Sequence, residues 1–187
     1  MTMSNFKVKT LTWSPYLPPV DLEKATAEQL SAIKVTPSNT KVSSYVLTLA
    51  HDPESYETRT DLFNAIMYLK DGLGRDEREM GSLVASCVNG CAFCASTHAR
   101  RYVELSGRAD VVERIYRFGL HQPEDDRLRA IIDFCQALST TPPTNDPKHV
   151  QALRRVGLSD TDIIDLAHAA AIFGWANRLM HTLGHSK

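Results

Sequence analysis

Residues 78–101 read REMGSLVASCVNGCAFCASTHARR, and this stretch decides the fold. Apolar side chains spaced three and four residues apart predict one helix over 75–87, which contains the first half of the stretch. Asn89 and Gly90 both tolerate left-handed backbone angles, so we expect this helix to end there. A second helix is predicted to begin around Cys91. The stretch therefore predicts two helices joined by a short turn.

The same helical spacing continues on both sides of this turn, and the pattern is that of a helix bundle without strands. The predicted helices cover 26–34, 40–50, 53–70, 75–87, 91–105, 109–119, 124–139, 147–156 and 159–184. Residues 1–22 contain several prolines and no sustained period, which predicts an extended or irregular arm that could embrace a neighbouring subunit. We predict one all-α domain over residues 1–187, a compact multi-helix bundle with an irregular N-terminal arm.

Composition limits the possible partners and compartments. The formal net charge is −1 over 187 residues, so no basic surface for nucleic acid is expected. Hydrophobic residues make up 43% and charged residues 23%, no apolar run could span a bilayer, and the N-terminus lacks a signal-peptide hydrophobic region. We expect a soluble cytoplasmic protein with no membrane or nucleic-acid partner. Four cysteines in a reducing compartment favour redox or metal chemistry over a disulfide scaffold.

The two central helices carry the pattern E-x11-C-x2-C-x3-H, formed by Glu79, Cys91, Cys94 and His98. The N–H groups and dipole at a helix start favour a thiolate, and so does a nearby histidine. His98 follows Cys94 by four residues on one helix face, whereas Cys91 is about two turns from His98. We expect the pKa of Cys94 to be lowered, and we assign peroxide attack to Cys94 and disulfide formation to Cys91.

A carboxylate is predicted to assist His98 in proton transfer. Glu79 lies on the preceding helix and could reach His98 directly or through a water if the two helices pack antiparallel. Glu77 is the competing carboxylate, but side chains two residues apart on a helix point about 200° apart, so only one faces the site. Glu79 is next to Met80 on the apolar side, and we expect it to be the partner.

Two other interpretations of the cysteines remain open. Cys87, Cys91, Cys94 and His98 would line up as zinc ligands on one unbroken helix, although the predicted turn rotates Cys87 away and structural zinc sites gather ligands from separated segments. The cysteines could also be buried structural residues, which is the interpretation we favour for Cys87 and Cys135. We predict no bound metal and no cofactor.

The quoted stretch, with its glutamate, cysteines and histidine in register, resembles the core motif of the alkylhydroperoxidase D and carboxymuconolactone decarboxylase family. The core match covers about residues 60–125. The chain length and the segment FGWANRLMH at 173–181 are similar to the peroxidase-related branch of that family. The resemblance implies an all-helical fold, assembly into trimers or hexamers, and a peroxidase site reduced by a dithiol partner such as a lipoyl or thioredoxin-like protein.

The resemblance also assigns roles to single residues. Glu79 and His98 match the family's proton relay, Cys94 its peroxide-attacking cysteine and Cys91 its resolving cysteine. Where the best-known peroxidase members hold a second relay histidine this chain has Phe93, which implies weaker proton transfer. The hypothesis is a thiol-dependent peroxidase acting on hydrogen peroxide or organic hydroperoxides. The rivals are a decarboxylase-type acid/base enzyme and a non-catalytic redox-sensing or metal-binding module.

Overall fold

A computed structural model describes residues 8, 10–33, 41–121 and 125–187. The helices are α1 (Ala27–Ala32), α2 (Ser44–Leu49), α3 (Pro53–Tyr68), α4 (Arg75–Val88), α5 (Ala92–Ser106), α6 (Ala109–Phe118), α7 (Asp126–Ser139), α8 (Pro147–Arg155) and α9 (Asp160–Leu183). Two short strands are β1 (Trp13–Pro15) and β2 (Gly184–Ser186). The predicted all-α, multi-helix class is confirmed.

Helix boundaries follow local capping chemistry. The Asp52 side chain accepts a hydrogen bond from the backbone N–H of Ser55, and Pro53 occupies the first turn of α3. Ser159 caps α9 in the same way. The second helix differs from its prediction, because it starts at Ser44 with Ser43 as its cap rather than near residue 40. Residues 34–40 lie outside the described part of the chain.

The two strands correct the prediction of a bundle without strands. β1 pairs antiparallel with β2, so part of the N-terminal arm lies against the C-terminal end of its own chain. The Trp13 indole is buried here and donates a hydrogen bond to the backbone oxygen of Met180 (3.2 Å). A Cβ atom on Gly184 would lie 2.2 Å from Cζ2 of Trp13, so only glycine leaves room for the indole. Residues 13–15 therefore pack against the C-terminal end of the same chain.

Helix α4 lies at the centre of the fold. Every side chain from Arg78 to Cys87 is buried, and α4 packs against α5, α7 and α9. Gly81 permits this close packing, because a Cβ atom there would lie 3.0 Å from Cδ1 of Leu166 and 3.3 Å from Sγ of Cys135. A helix held on three sides provides a rigid base for the residues it carries.

Arg78 fixes the connection between α3 and α4. Its side chain is almost fully buried, and its guanidinium donates to the backbone oxygens of Ile66 (2.9 Å), Leu69 (3.2 Å) and Asp71 (2.7 Å). It also pairs with the Oδ2 atom of Asp165 on α9 (2.8 Å). We call these five residues the Arg78 cluster. It joins α3, α4 and α9 through one cation.

The last helix, α9, is 24 residues long and has its buried side on the core. Its buried residues include Phe173, Ala176, Asn177 and Met180, which come close to the start of α5. Despite this length, neither α9 nor any other helix among the described residues is long and apolar enough to cross a membrane. The important feature of α9 for function is therefore its buried side.

Candidate active site

The turn between α4 and α5 places the first cysteine. Helix α4 ends at Val88, and Gly90 takes a φ of 72°, a backbone angle that glycine adopts without strain. The N–H of Cys91 donates to the backbone oxygen of Ser86 (2.9 Å), which ties the turn to the end of α4. Cys91 is then the N-cap residue of α5, and Cys94 lies in its first turn.

The two thiols are free, buried and coupled to each other. The hydrogen bond from the Cys94 thiol lowers the pKa of Cys91, and the same interaction raises the pKa of Cys94 well above its ordinary value. Backbone N–H groups of Phe93 and Cys94 approach the Cys91 sulfur without strict cap geometry and lower its pKa further. The hydrogen bond between the thiols therefore favours a thiolate at Cys91, whereas the sequence spacing predicts the lower pKa for Cys94.

Asn177 is a site residue that the sequence analysis missed. This fully buried side chain on α9 lies beside both thiols, and its hydrogen bonds lower the pKa of Cys91 and of Cys94. Its Nδ2 atom donates to Oγ of Ser86 (3.3 Å), and its Oδ1 atom accepts from Nδ2 of Asn89 (3.1 Å). An uncharged polar residue on the buried face of an otherwise apolar helix was the available signal.

His98 and Glu79 form a buried pair between α5 and α4. Nδ1 of His98 lies 2.5 Å from Oε2 of Glu79, and Oε1 of Glu79 accepts hydrogen bonds from the guanidinium of Arg75. Burial alone would raise the pKa of Glu79, but His98 and then Arg75 outweigh it and hold the pKa below its ordinary value. The imidazole packs edge to face on Phe173, with ring centroids 4.1 Å apart. Glu79 is thus an ionised carboxylate that orients His98.

Glu77 lies outside this arrangement. Its carboxylate pairs with Arg127 on α7, with 2.6 Å between Nε and Oε1 and 2.9 Å between Nη2 and Oε2. The two carboxylates therefore point to different sides of α4, as the helical angle between residues two apart requires. Of the two, only Glu79 contacts His98.

A cavity of about 130 Å³ opens beside Cys94 and His98. Most of its wall is aromatic or aliphatic. The other lining residues are Tyr45, Arg59, Phe63, Phe93, Thr97, Phe173, Ala176 and Met180. We call this space the inner cavity. Cys91 does not line it, so Cys94 is the thiol that a small molecule in the inner cavity would meet.

A second space, the outer cavity, has a volume of about 560 Å³ and lies between α3 and α9. Its wall includes Leu62, Ile172 and Trp175, with His168 among its polar residues. Arg59 lines both cavities. The site therefore consists of a narrow apolar chamber at the thiol and a larger space beside it, separated by one cationic side chain.

The other two cysteines are in different surroundings. Burial raises the pKa of Cys87 to about 12 and raises that of Cys135 further. Neither is near a charge that would favour its thiolate, so both are unreactive core residues. Within the described residues, no three His, Cys, Asp or Glu side chains converge as metal ligands would.

Comparisons with known proteins support the fold and the family resemblance. Residues 53–119, which include Glu79, Cys91, Cys94 and His98, match the carboxymuconolactone decarboxylase family. A comparison with curated proteins finds no match. Similar solved structures include an uncharacterized peroxidase-related protein with an alkylhydroperoxidase D core from Ralstonia eutropha JMP134, which is 26% identical, with a TM-score of 0.78 over 90% of both chains.

Two further structures extend the comparison. A peroxidase-related protein from Silicibacter sp. TM1040 is 25% identical, with a TM-score of 0.74 over 91% of this chain and 92% of its own. The debrominase Bmp8 is 20% identical with a TM-score of 0.75 over 90% of both chains, a likeness of fold alone. The resemblance predicted from the sequence is therefore confirmed: the chain has the alkylhydroperoxidase D-like all-α fold and carries a carboxymuconolactone decarboxylase family segment at residues 53–119.

Proposed function

We propose that the protein is a thiol-dependent peroxidase that reduces hydrogen peroxide or organic hydroperoxides through the Cys91 and Cys94 dithiol. One observation carries the proposal: Cys94 lines the inner cavity together with His98, and its thiol is hydrogen-bonded to a second buried cysteine, Cys91. A pair of hydrogen-bonded thiols beside a small apolar chamber has the elements for two-electron reduction of an O–O bond.

The first step moves the shared proton. With the charge on Cys91, the Cys94 thiol is hydrogen-bonded to a thiolate, and transfer of that proton to Cys91 gives a Cys94 thiolate facing the cavity. Cys91 therefore serves as the local base for the attacking thiol. The Asn177 amide stabilises the negative charge on either sulfur. This account keeps Cys94 as the nucleophile although Cys91 is the more acidic thiol.

In the second step the Cys94 sulfur attacks the terminal peroxide oxygen. An S–O bond forms, the O–O bond breaks, and its electron pair leaves on the alkoxide or hydroxide. A protonated His98 donates to this leaving group and gives an alcohol or water. The ionised Glu79 carboxylate lies 2.5 Å from Nδ1 of His98 and fixes the orientation of the imidazole for this transfer. Phe93 adds an apolar wall rather than a second histidine, so His98 carries this proton transfer alone.

In the third step the Cys91 thiol condenses with the Cys94 sulfenic acid, which forms a disulfide and releases water. Two thiols and one hydroperoxide thus give one disulfide, one alcohol and one water. Regeneration needs a dithiol donor, for which the family resemblance suggests a lipoyl or thioredoxin-like protein. The exposed fraction of both cysteines is below 10%, so the turn that holds Cys91 must open for that donor.

Assembly into a trimer or hexamer belongs to the same proposal. Exposed apolar side chains on α3 and α9, namely Leu62, Ile164 and Trp175, are about half accessible in the single chain. Such side chains are typical of surfaces covered by another subunit. Light scattering on the purified protein measures the mass directly, and a monomer at micromolar concentration would contradict this part of the proposal.

An acid/base reaction of the decarboxylase type is the second candidate. The observation that favours it is the His98 and Glu79 pair, which is complete without either thiol. The Cys94→Ser variant separates the two functions, because it removes the sulfur and leaves the imidazole and carboxylate in place. Peroxide turnover that survives this change would contradict the thiol mechanism.

The direct test is a pulse of hydroperoxide followed by mass spectrometry of the alkylated protein. We expect an intramolecular disulfide between Cys91 and Cys94 that dithiothreitol reverses. Cys87→Ala is the matched control, because Cys87 is equally buried but does not line the cavity, and it should still form the disulfide. Cys91→Ser should react more slowly, because the local base is lost, and should accumulate a sulfenic acid at Cys94 that dimedone traps. No disulfide and no trapped sulfenic acid would overturn the proposal.

A further inference from the structure

Two polar side chains on the inner cavity have unused hydrogen-bonding groups. The buried Nε atom of Arg59 and the buried hydroxyl of Tyr45 have no hydrogen-bond partner among the described residues. Both residues line the inner cavity. Buried donors are normally paired, because an unpaired one loses its interaction with water and gains nothing in return. Both atoms are enclosed in the single chain, so a ligand in the cavity would supply the missing acceptor after the two side chains turn toward it.

Arg59 also lacks an anionic partner. The other arginines that are buried or half-buried near the site each pair with a carboxylate, as Arg75 does with Glu79 and Arg78 with Asp165. No such ion pair is formed by Arg59 within the described residues. Its guanidinium instead lies over the ring of Phe63, with Cζ 4.6 Å from the ring centroid, and within 6.0 Å of the centroid of Trp175.

The position of these donors suggests the shape of the ligand. The thiol of Cys94 and the imidazole of His98 line the inner cavity, and Arg59 stands where it meets the outer cavity. The wall between is apolar and includes Phe93 and Phe173. A ligand complementary to these lining residues has an anionic oxygen group that binds Arg59, an apolar body, and a group that reacts with Cys94.

We propose that the inner cavity takes organic hydroperoxides that carry a carboxylate, with the carboxylate bound by Arg59 and Tyr45 and the hydroperoxide directed to Cys94. The proposal rests on the peroxidase function and adds the substrate class. Arg59 and Tyr45 bind the carboxylate equally in substrate and product and exchange no proton or electron with it. Their contribution is therefore to binding, and their loss should raise KM more than it lowers kcat.

The first experiment compares cumene hydroperoxide with its 4-carboxy derivative, which differ only in the anionic group. In Arg59→Met, which keeps an unbranched side chain over Phe63, kcat/KM for the carboxylated peroxide should fall roughly 10- to 100-fold. The neutral peroxide should lose less, because it loses only the effect of the Arg59 charge on the Cys94 thiolate and not a bond to the substrate. Arg59→Lys should recover part of the loss, because it keeps the charge without the planar fork. Tyr45→Phe should cost several-fold, again only for the carboxylated peroxide.

The matched control is Arg117→Met on the surface of α6. This change removes one positive charge from a residue that lines neither cavity, and it should leave the turnover of both peroxides unchanged. Thermal unfolding of each variant confirms that it is folded. An equal loss for the two peroxides in Arg59→Met would place the effect of Arg59 on the thiol rather than on the substrate, and would overturn the proposal.

The second experiment does not depend on peroxide turnover. 4-(Bromomethyl)benzoate and its carboxamide both alkylate a thiolate by displacing bromide, and mass spectrometry reports the rate at Cys94. We compare the ratio of the alkylation rate with the benzoate to the rate with the carboxamide. This ratio should be at least about tenfold higher in the wild type than in Arg59→Met. A preference for the benzoate in a protein that turns over neither peroxide would sustain the carboxylate site and reject the peroxidase function. Peroxide turnover with no such preference would do the reverse.

Discussion

Two buried ionic groups lie side by side on α4 and have opposite surroundings. Arg78 is enclosed by three backbone oxygens and Asp165, with each contact fixed by a helix or a short loop. Glu79, the next residue, binds a histidine that lines a cavity. Arg78 keeps its charge at every accessible pH, whereas the imidazole of His98 can exchange a proton.

This difference separates a structural charge from a chemical one. The Nη atoms of Arg78 are bound by fixed acceptors and its side chain lines neither the inner nor the outer cavity, so the Arg78 cluster holds α3, α4 and α9 in place. A carboxylate and imidazole next to empty space can pass a proton to an incoming molecule. Substitutions at the two groups should therefore have separable effects, one on stability and the other on turnover.

The largest effect is expected at His98. His98→Gln keeps a hydrogen-bonding side chain opposite Glu79 but removes the exchangeable proton, so kcat/KM for hydroperoxide should fall roughly 10²- to 10⁴-fold. Stopped-flow measurement of disulfide formation gives this rate, and denaturant unfolding should show little loss of stability. Unchanged turnover would remove the distinction between the two groups, because His98 would then be structural as well.

Arg78 should give the opposite result. Arg78→Met removes the guanidinium donor from three backbone oxygens and from the partly exposed Asp165 carboxylate, which keeps only the Leu73 N–H, and this should lower the free energy of unfolding by about 1.5–3 kcal/mol in urea titrations. Turnover per folded molecule should stay close to that of the wild type. Adding Asp165→Leu should recover part of the stability, because the uncompensated carboxylate is then removed. A loss below about 1 kcal/mol would show that the Arg78 cluster does not hold the helices together.

The pH dependence of stability should identify Glu79. Its pKa in the folded state lies below the ordinary value of 4.5, so its stabilising contribution is complete above that pH and is lost as pH falls through the folded pKa. Below pH 4.5 the wild type should therefore lose stability with falling pH more steeply than Glu79→Gln, which has no proton to take up. Parallel curves for the two proteins in acid would contradict a charged Glu79 in the fold.

The smallest effect is expected at Glu77. Its pair with Arg127 is partly exposed to solvent, so Glu77→Gln should change the free energy of unfolding by about 1 kcal/mol or less, and high salt should reduce the difference. Peroxide turnover should not change. A large loss of turnover in Glu77→Gln would show that Glu77, and not Glu79, belongs to the proton relay. The same assay on Glu79→Gln provides the comparison.

Much of the fold could be predicted because its boundaries depend on local chemistry. Asp52 with Pro53, the Asn89 and Gly90 turn, and Ser159 each start or end a helix through contacts within a few residues. The strand pair could not be predicted in this way. Each strand has three residues, too few for a period, and Trp13 reaches Met180 across 167 residues of sequence.

The candidate site divides in the same manner. The spacing of Cys94 and His98, and the orientation of Glu79, follow from helix geometry and are visible in the sequence. The lowered pKa of Cys91 is not visible in the sequence, because it depends on which cysteine becomes the N-cap residue and on Asn177 from a distant helix. Arg59 was missed for a related reason: the lack of a partner is a property of the folded surroundings and leaves no mark on the sequence.

The residues that line the inner cavity come from different parts of the chain. Cys94 and His98 lie within the family segment at residues 53–119, whereas Tyr45, Phe173 and Met180 are contributed from outside it. Substitutions in α2 and α9 can therefore alter which molecules enter while the thiols and proton relay are retained. A lineage can diversify its substrates without rebuilding its chemistry, and directed evolution of this protein would best start at Tyr45 and Met180, with Asn177 of α9 retained for the thiols.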